Sequence, residues 1–111
     1  MKKIRVVCLA LLAALILSAS ALASAQWMKT FNDLYKPKQD TELKKAGCSV
    51  CHSKGVELNS YGEMLKGKAI KISSLRAIEK KDADKDGASN IAEIKAGTVP
   101  GDSKSKPASK R

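Results

Sequence analysis

Cys48, Cys51 and His52 stand in the sequence C-S-V-C-H, a grouping of residue types that can do chemistry together. At this spacing each thiol can add to one vinyl group of a haem, and the histidine that follows can bind the iron. His52 is the only histidine in the chain, so no other imidazole competes for that role. The motif therefore predicts one covalently attached c-type haem, haem c, held by these three residues.

The same residues in a cytosolic protein could instead bind zinc, and a bare C-x-x-C could be a redox dithiol. The amino-terminal sequence favours haem because it indicates export. A basic start precedes an apolar run over residues 6–17 and the small-residue cleavage site Ala23-Ser24-Ala25. We expect a signal peptide over residues 1–25 and a periplasmic or secreted mature protein, with an uncleaved membrane anchor as the alternative.

The mature chain would contain 86 residues and two cysteines, both in the motif, because Cys8 leaves with the signal peptide. A single domain over residues 26–101 is small enough to depend on a bound cofactor or metal. Its net charge near +7 favours an acidic redox partner protein, whereas export argues against nucleic acid. We expect a soluble mature form, with any membrane association made through partners. Lysines close to the motif could steer the partner or serve solubility alone: Lys44, Lys45, Lys54, Lys66 and Lys68.

Apolar residues recur at helical spacing from Trp27 to Tyr35, and Pro37 ends that segment. Four shorter helical segments are bounded by capping or terminating residues: Asp40 or Thr41, Ser60, Ser73 or Ser74, and Gly97. The residues after His52 are typical of a polar loop, and no alternating strand pattern of useful length occurs. The prediction is an all-α fold, followed by a disordered basic tail over residues 102–111.

Residues 82–93 fit the D-x-D-x-D-G-x-x-x-x-x-E pattern of a calcium loop along their whole length. The expected ligands stand at positions 1, 3, 5, 7, 9 and 12 of the loop: Asp82, Asp84, Asp86, the Ala88 carbonyl, Asn90 and Glu93. Gly87 allows the sharp turn that the loop needs. A solvated acidic loop is the alternative. Ser89 takes the place where sensor loops carry a branched apolar residue, which favours structural calcium over signalling.

Two resemblances extend these motifs. The stretch from Asp84 to Asp102 resembles the single calcium loops of exported bacterial proteins and thrombospondin type-3 repeats, which implies structural calcium. The sequence K-A-G-C-S-V-C-H, followed by L-N-S-Y-G and the calcium loop, resembles small bacterial monohaem c-type cytochromes over most of Trp27 to Asp102. This second resemblance implies a small helical domain around one haem, electron transfer rather than enzymatic activity, and a periplasmic place.

The sixth iron ligand is open at this stage. In ordinary small cytochromes c it is a methionine several dozen residues after the haem motif, but here no methionine follows Met64, twelve residues after His52. Met64 is the first candidate and Met28 the second. The third possibility is neither, with a five-coordinate iron or a lysine in the sixth place. An open sixth position would make the chain a gas-binding sensor or a haem enzyme subunit instead of an electron carrier.

Overall fold

The computed structural model describes residues 25–107, so the predicted signal peptide before Ala25 and residues 108–111 of the predicted tail lie outside the described part. Helix α1 covers residues 25–35. The other elements follow in chain order: α2 (Glu42–Ala46), a 3-10 helix (Gly47–Val50), strands β1 (His52–Lys54) and β2 (Glu57–Leu58), and helices α3 (Ser60–Leu65), α4 (Ile72–Ala77) and α5 (Asn90–Ala96). The all-α prediction is confirmed in part: the described chain is partly helical, with five α-helices, and also contains a two-stranded sheet.

Helix ends follow the local sequence closely. The Thr41 Oγ1 accepts a hydrogen bond from the Lys44 amide at 3.3 Å, which makes Thr41 the cap of α2. Asn59, and not the predicted Ser60, caps α3 by accepting a hydrogen bond from the Gly62 amide. Gly97 ends α5 in the left-handed conformation, with φ of 79°. Because α2 to α5 have only five to seven residues each, tertiary packing must hold them.

The predicted polar loop after the haem motif is wrong, because these residues form an antiparallel hairpin. His52 pairs with Leu58 and Lys54 pairs with Glu57. Strands of two and three residues are too short to show an alternating pattern, which is why the sequence gives no sign of them. The hairpin tip exposes Val56 almost fully.

The core lies between α1 and the shorter helices. Its buried apolar side chains come from every helical element and the loop after α4: Phe31, Leu43, Val50, Tyr61, Leu65, Leu75, Ile78, Ala83 and Ile94. The Phe31 ring meets the rings of Tyr35 and Tyr61 edge to face, at centroid distances of 4.9 and 6.2 Å. Among residues 25–107, no helix has both the length and the apolar character needed to cross a membrane.

The carboxyl-terminal part of the chain packs back on α2. The Leu43 amide donates to the Gly97 carbonyl oxygen at 3.0 Å, so the end of α5 meets the start of α2. The buried Ser105 hydroxyl accepts a hydrogen bond from the Val99 amide and donates one to the Glu42 carboxylate. The predicted tail over residues 102–111 therefore begins with an ordered turn.

Candidate functional site

The C-x-x-C-H motif lies where α2 gives way to the 3-10 helix and then to β1. Gly47, with φ of 54°, lets the chain change direction directly before Cys48. The Cys51 amide donates to the Cys48 carbonyl oxygen at 3.2 Å, which closes a tight turn between the two cysteines. Cys48 is exposed, Cys51 is half-buried, and both are free thiols in the described chain.

A cavity of about 150 Å³ lies beside this turn and is lined by Cys48, Cys51 and His52. Trp27 and Met28 of α1 line it as well. The remaining lining residues come from β2, α3 and the turn after α3: Leu58, Gly62, Leu65, Lys66, Gly67 and Lys68. One cavity thus brings together two thiols, an imidazole and a thioether, with apolar side chains and two lysines around them.

Asn59 and Gly62 hold α3 against the motif. The Asn59 side-chain amide donates to the carbonyl oxygens of Ser49 and Val50 at 3.1 and 3.0 Å, and its backbone amide donates to Cys51 at 2.8 Å. A Cβ atom on Gly62 would overlap the Cys51 carbonyl oxygen, so only glycine allows this approach. Neither role is predictable from the sequence pattern, although both residues belong to the L-N-S-Y-G segment that resembles monohaem cytochromes.

The surroundings of the cysteines argue against the zinc interpretation of the motif. Burial raises the pKa of the Cys51 thiol to about 11, with a smaller contribution from Cys48. A zinc site needs converging ligand atoms, yet within residues 25–107 the only His, Cys, Asp or Glu ligand atoms that gather three or more within 4.8 Å belong to the acidic loop.

His52 lies on β1, half-buried at the cavity wall. Its Nδ1 atom is buried and has no hydrogen-bond partner among the described residues. A buried polar atom without a partner costs about 1–3 kcal/mol. A group bound in this cavity could supply a partner for the imidazole of His52.

The two methionine candidates are placed differently. Met28 lines the cavity, whereas Met64 is not among the described residues that line it. The Met64 sulfur instead accepts a weak hydrogen bond from the Asn90 side-chain amide, at 3.6 Å. The structure therefore brings Cys48, Cys51, His52 and Met28 together and leaves Met64 elsewhere, against the first candidate from sequence.

The acidic loop folds around its own carboxylates. Asp82, Asp84 and Asp86 place carboxylate oxygens within 4.8 Å of one another. Asp82 accepts hydrogen bonds from the amides of Asp86 and Gly87, at 3.3 and 2.9 Å, which curl the loop back onto its first residue. Gly87, with φ of 95°, makes the predicted sharp turn. The amide of Ala88, at position 7 of the loop, donates to the Asp86 carboxylate, so Ala88 lies close to the cluster.

Glu93 reaches this loop from α5. Its side chain is 0% exposed, and neither carboxyl oxygen has a hydrogen-bond partner in the part of the chain that the structure describes. Burial, followed by the neighbouring Asp86 and Asp84 carboxyls, raises the pKa of Glu93 to about 9. Burial and Asp86 likewise raise the pKa of Asp84 to about 6, whereas the Ala88 amide lowers the pKa of Asp86. A divalent cation would relieve this repulsion.

The polar atoms of Asn90 bond to backbone groups, and its role as a ligand at position 9 stays a prediction. Its Oδ1 accepts from the Ala83 amide at 3.0 Å, and its Nδ2 donates to the Ile78 carbonyl oxygen at 2.8 Å. The side chain is fully buried, and both of its polar atoms are used. Asn90 therefore fastens the start of α5 to the end of α4 and to Ala83, the second residue of the loop.

Comparison of the chain with protein-family models, with curated proteins and with solved structures finds no match. A function for this chain must therefore be argued from its own residues and their geometry.

Proposed function

We propose that the chain is an exported electron-transfer protein that carries one covalently bound haem c and one structural calcium ion. The observation that carries the proposal is the shared cavity of Cys48, Cys51, His52 and Met28. The donor set fits the group: two thiols for the tether, one imidazole for the iron, and apolar walls around them. When bound, haem supplies an iron that exchanges one electron between its ferrous and ferric forms.

Attachment needs no oxidant. Each thiol of Cys48 and Cys51 would add across one vinyl double bond, so that a carbon–sulfur bond forms and the thiol hydrogen passes to the neighbouring carbon. His52 follows directly in the chain, and the Asn59 and Gly62 contacts fix the turn that carries all three residues.

The cavity walls fit an electron carrier. One of its lining residues, Cys48, is exposed, so a haem tethered there would keep an edge toward solvent. Trp27, Leu58 and Leu65 would exclude water from the inner part, which favours the less charged state of the iron. Lys66 and Lys68 at the border would attract an acidic partner protein, with association slowing as salt rises.

The structural calcium part of the proposal rests on Glu93. Its two unpartnered, buried oxygens lie beside the carboxyls of Asp84 and Asp86 in the described chain. Carboxylate oxygens are the ligands that Ca²⁺ prefers, and a loop with the sequence pattern of residues 82–93 supplies them. The connection of α5 to α2, through Gly97 and Leu43, supports a role in stability.

The haem proposal is tested by expressing the full chain in a host that matures c-type cytochromes. The exported product should be coloured and heavier than the processed polypeptide by one haem. A double variant, Cys48→Ala with Cys51→Ala, should lose the covalent haem, while Cys8→Ala should keep it, because Cys8 lies in the predicted signal peptide. A colourless product with the mass of the bare chain would overturn the proposal.

A further inference from the structure

We propose that Met28, which precedes the haem motif in the chain, is the sixth ligand of the iron. This inference rests on the proposed function and adds to it the identity of the group opposite His52. The first observation is that Met28 lines the same cavity as Cys48, Cys51 and His52. Met28 is the only methionine among the described residues around that cavity.

The packing of α1 sets the position of Met28. Phe31, three residues later and so on the same side of the helix, is 3% exposed and contacts Tyr61 in the core. This contact fixes the rotation of α1 against the body of the domain. The same rotation turns Met28, one turn earlier, to the cavity, and Trp27 borders the cavity beside it. Met28 thus borders the same cavity as the motif, on a helix that the core holds in place.

The orientation of α3 holds Met64 away from the cavity. Successive helical residues are about 100° apart, so the α3 residues that line the cavity, Gly62 and Leu65, leave Met64 on another side. Rotating α3 to bring Met64 inward would break the Asn59 cap and the close contact of Gly62 with the Cys51 carbonyl. The Met64 sulfur also has a partner already, the Asn90 side chain.

Two lysines also border the cavity, so they are the competing ligands. Lys66 and Lys68 are both exposed. A lysine ammonium group is strongly hydrated and would have to leave water to reach the iron. The thioether of methionine is apolar and is a soft ligand for haem iron. Met28 is thus favoured over the two lysines.

The test compares Met28→Leu with the matched control Met64→Leu in the haem-loaded protein. Both changes keep an apolar side chain of similar volume. Met28→Leu should lose the methionine–iron charge-transfer band of the oxidised protein, bind carbon monoxide rapidly when reduced, and have a lower reduction potential. Met64→Leu should keep the band and resist carbon monoxide. Met28→His should restore a six-coordinate spectrum without the charge-transfer band.

A second measurement keeps the inference falsifiable if Met28→Leu does not fold. The predicted mature chain has two methionines, so in Met64→Leu the single remaining methionine methyl group belongs to Met28. In the reduced protein, the haem ring current should shift that methyl signal far upfield. Loss of the band in Met64→Leu, retention of it in Met28→Leu, or absence of the band from the wild type would overturn the inference while leaving covalent haem intact. Failure of haem attachment would instead overturn the proposed function.

Discussion

Removing the proposed calcium ion is the most informative perturbation, because the buried Glu93 carboxyl would then lie beside Asp84 and Asp86 without a cation. Calcium modules of exported proteins bind with Kd of about 0.1–1 mM. At ~10 mM calcium the ion would then be at roughly 10–100 times Kd, which stabilises the folded state by about 1.4–2.7 kcal/mol. For a domain of this size, that free energy raises Tm by roughly 6–20 °C.

The assay is thermal unfolding of the haem-loaded protein, followed by circular dichroism, in chelator and in calcium. Glu93→Gln should gain little from calcium, since it removes one carboxylate from the site. In chelator near pH 8 the same variant should be more stable than the wild type, since its neutral amide can donate to the neighbouring carboxylates. Glu57→Gln, at an exposed position on β2, is the matched control and should respond to calcium like the wild type.

Calcium should therefore stabilise the wild type more than Glu93→Gln, whereas in chelator Glu93→Gln should be the more stable of the two. A wild type that gains nothing from calcium would remove the structural ion from the proposal. Equal gains in the wild type and in Glu93→Gln would show that the ion binds without Glu93. Magnesium should stabilise less than calcium, because it demands a smaller and more regular set of oxygens.

In chelator, the free energy of unfolding should fall as pH rises from about 4.5 to about 9, because Glu93 has a folded pKa above its unfolded value. Asp84 should lower the stability in the same direction between pH about 3.8 and about 6. Urea unfolding across this range checks the slope, which calcium should flatten; a stability that rises with pH would contradict it. Gly62→Ala should destabilise the protein by about 1–3 kcal/mol and reduce haem yield, because its Cβ would overlap the Cys51 carbonyl oxygen, whereas Glu63→Ala on the exposed side should not. Tyr61→Phe should cost nothing or stabilise the haem-free chain by up to ~1 kcal/mol, since the buried hydroxyl has no partner between residues 25 and 107; a clear loss in urea unfolding would show that it has one.

Two of the helix ends were predictable because their signals are local. Thr41 caps α2 and Gly97 ends α5 as the sequence indicates, since a hydroxyl or a glycine at such a place acts within one turn. The acidic loop is likewise formed by residues that are close in the chain, and the carboxylates of Asp82, Asp84 and Asp86 lie close together. Glu93 also reaches them, because the loop leads directly into α5.

Contacts between distant segments are not predictable from the sequence in this way. Spacing along the chain made Met64 the first methionine candidate, but the anchoring of α1 by Phe31 brings Met28 to the cavity. Position 9 of the loop made Asn90 a ligand candidate, yet Ala83 and Ile78 use its polar atoms. Neither outcome can be obtained from periodicity, because each depends on which elements pack together.

The hydrogen bonds from Leu43 to Gly97 and from Ser105 to Glu42 join the carboxyl-terminal segment to α2, which lies directly before the C-x-x-C-H motif. A chain exported amino terminus first, as we propose, would present Cys48, Cys51 and His52 before either of these bonds could form. The maturation machinery would therefore meet an open, unpacked turn. Haem would be tethered first, and the last residues to arrive would then close the domain behind it.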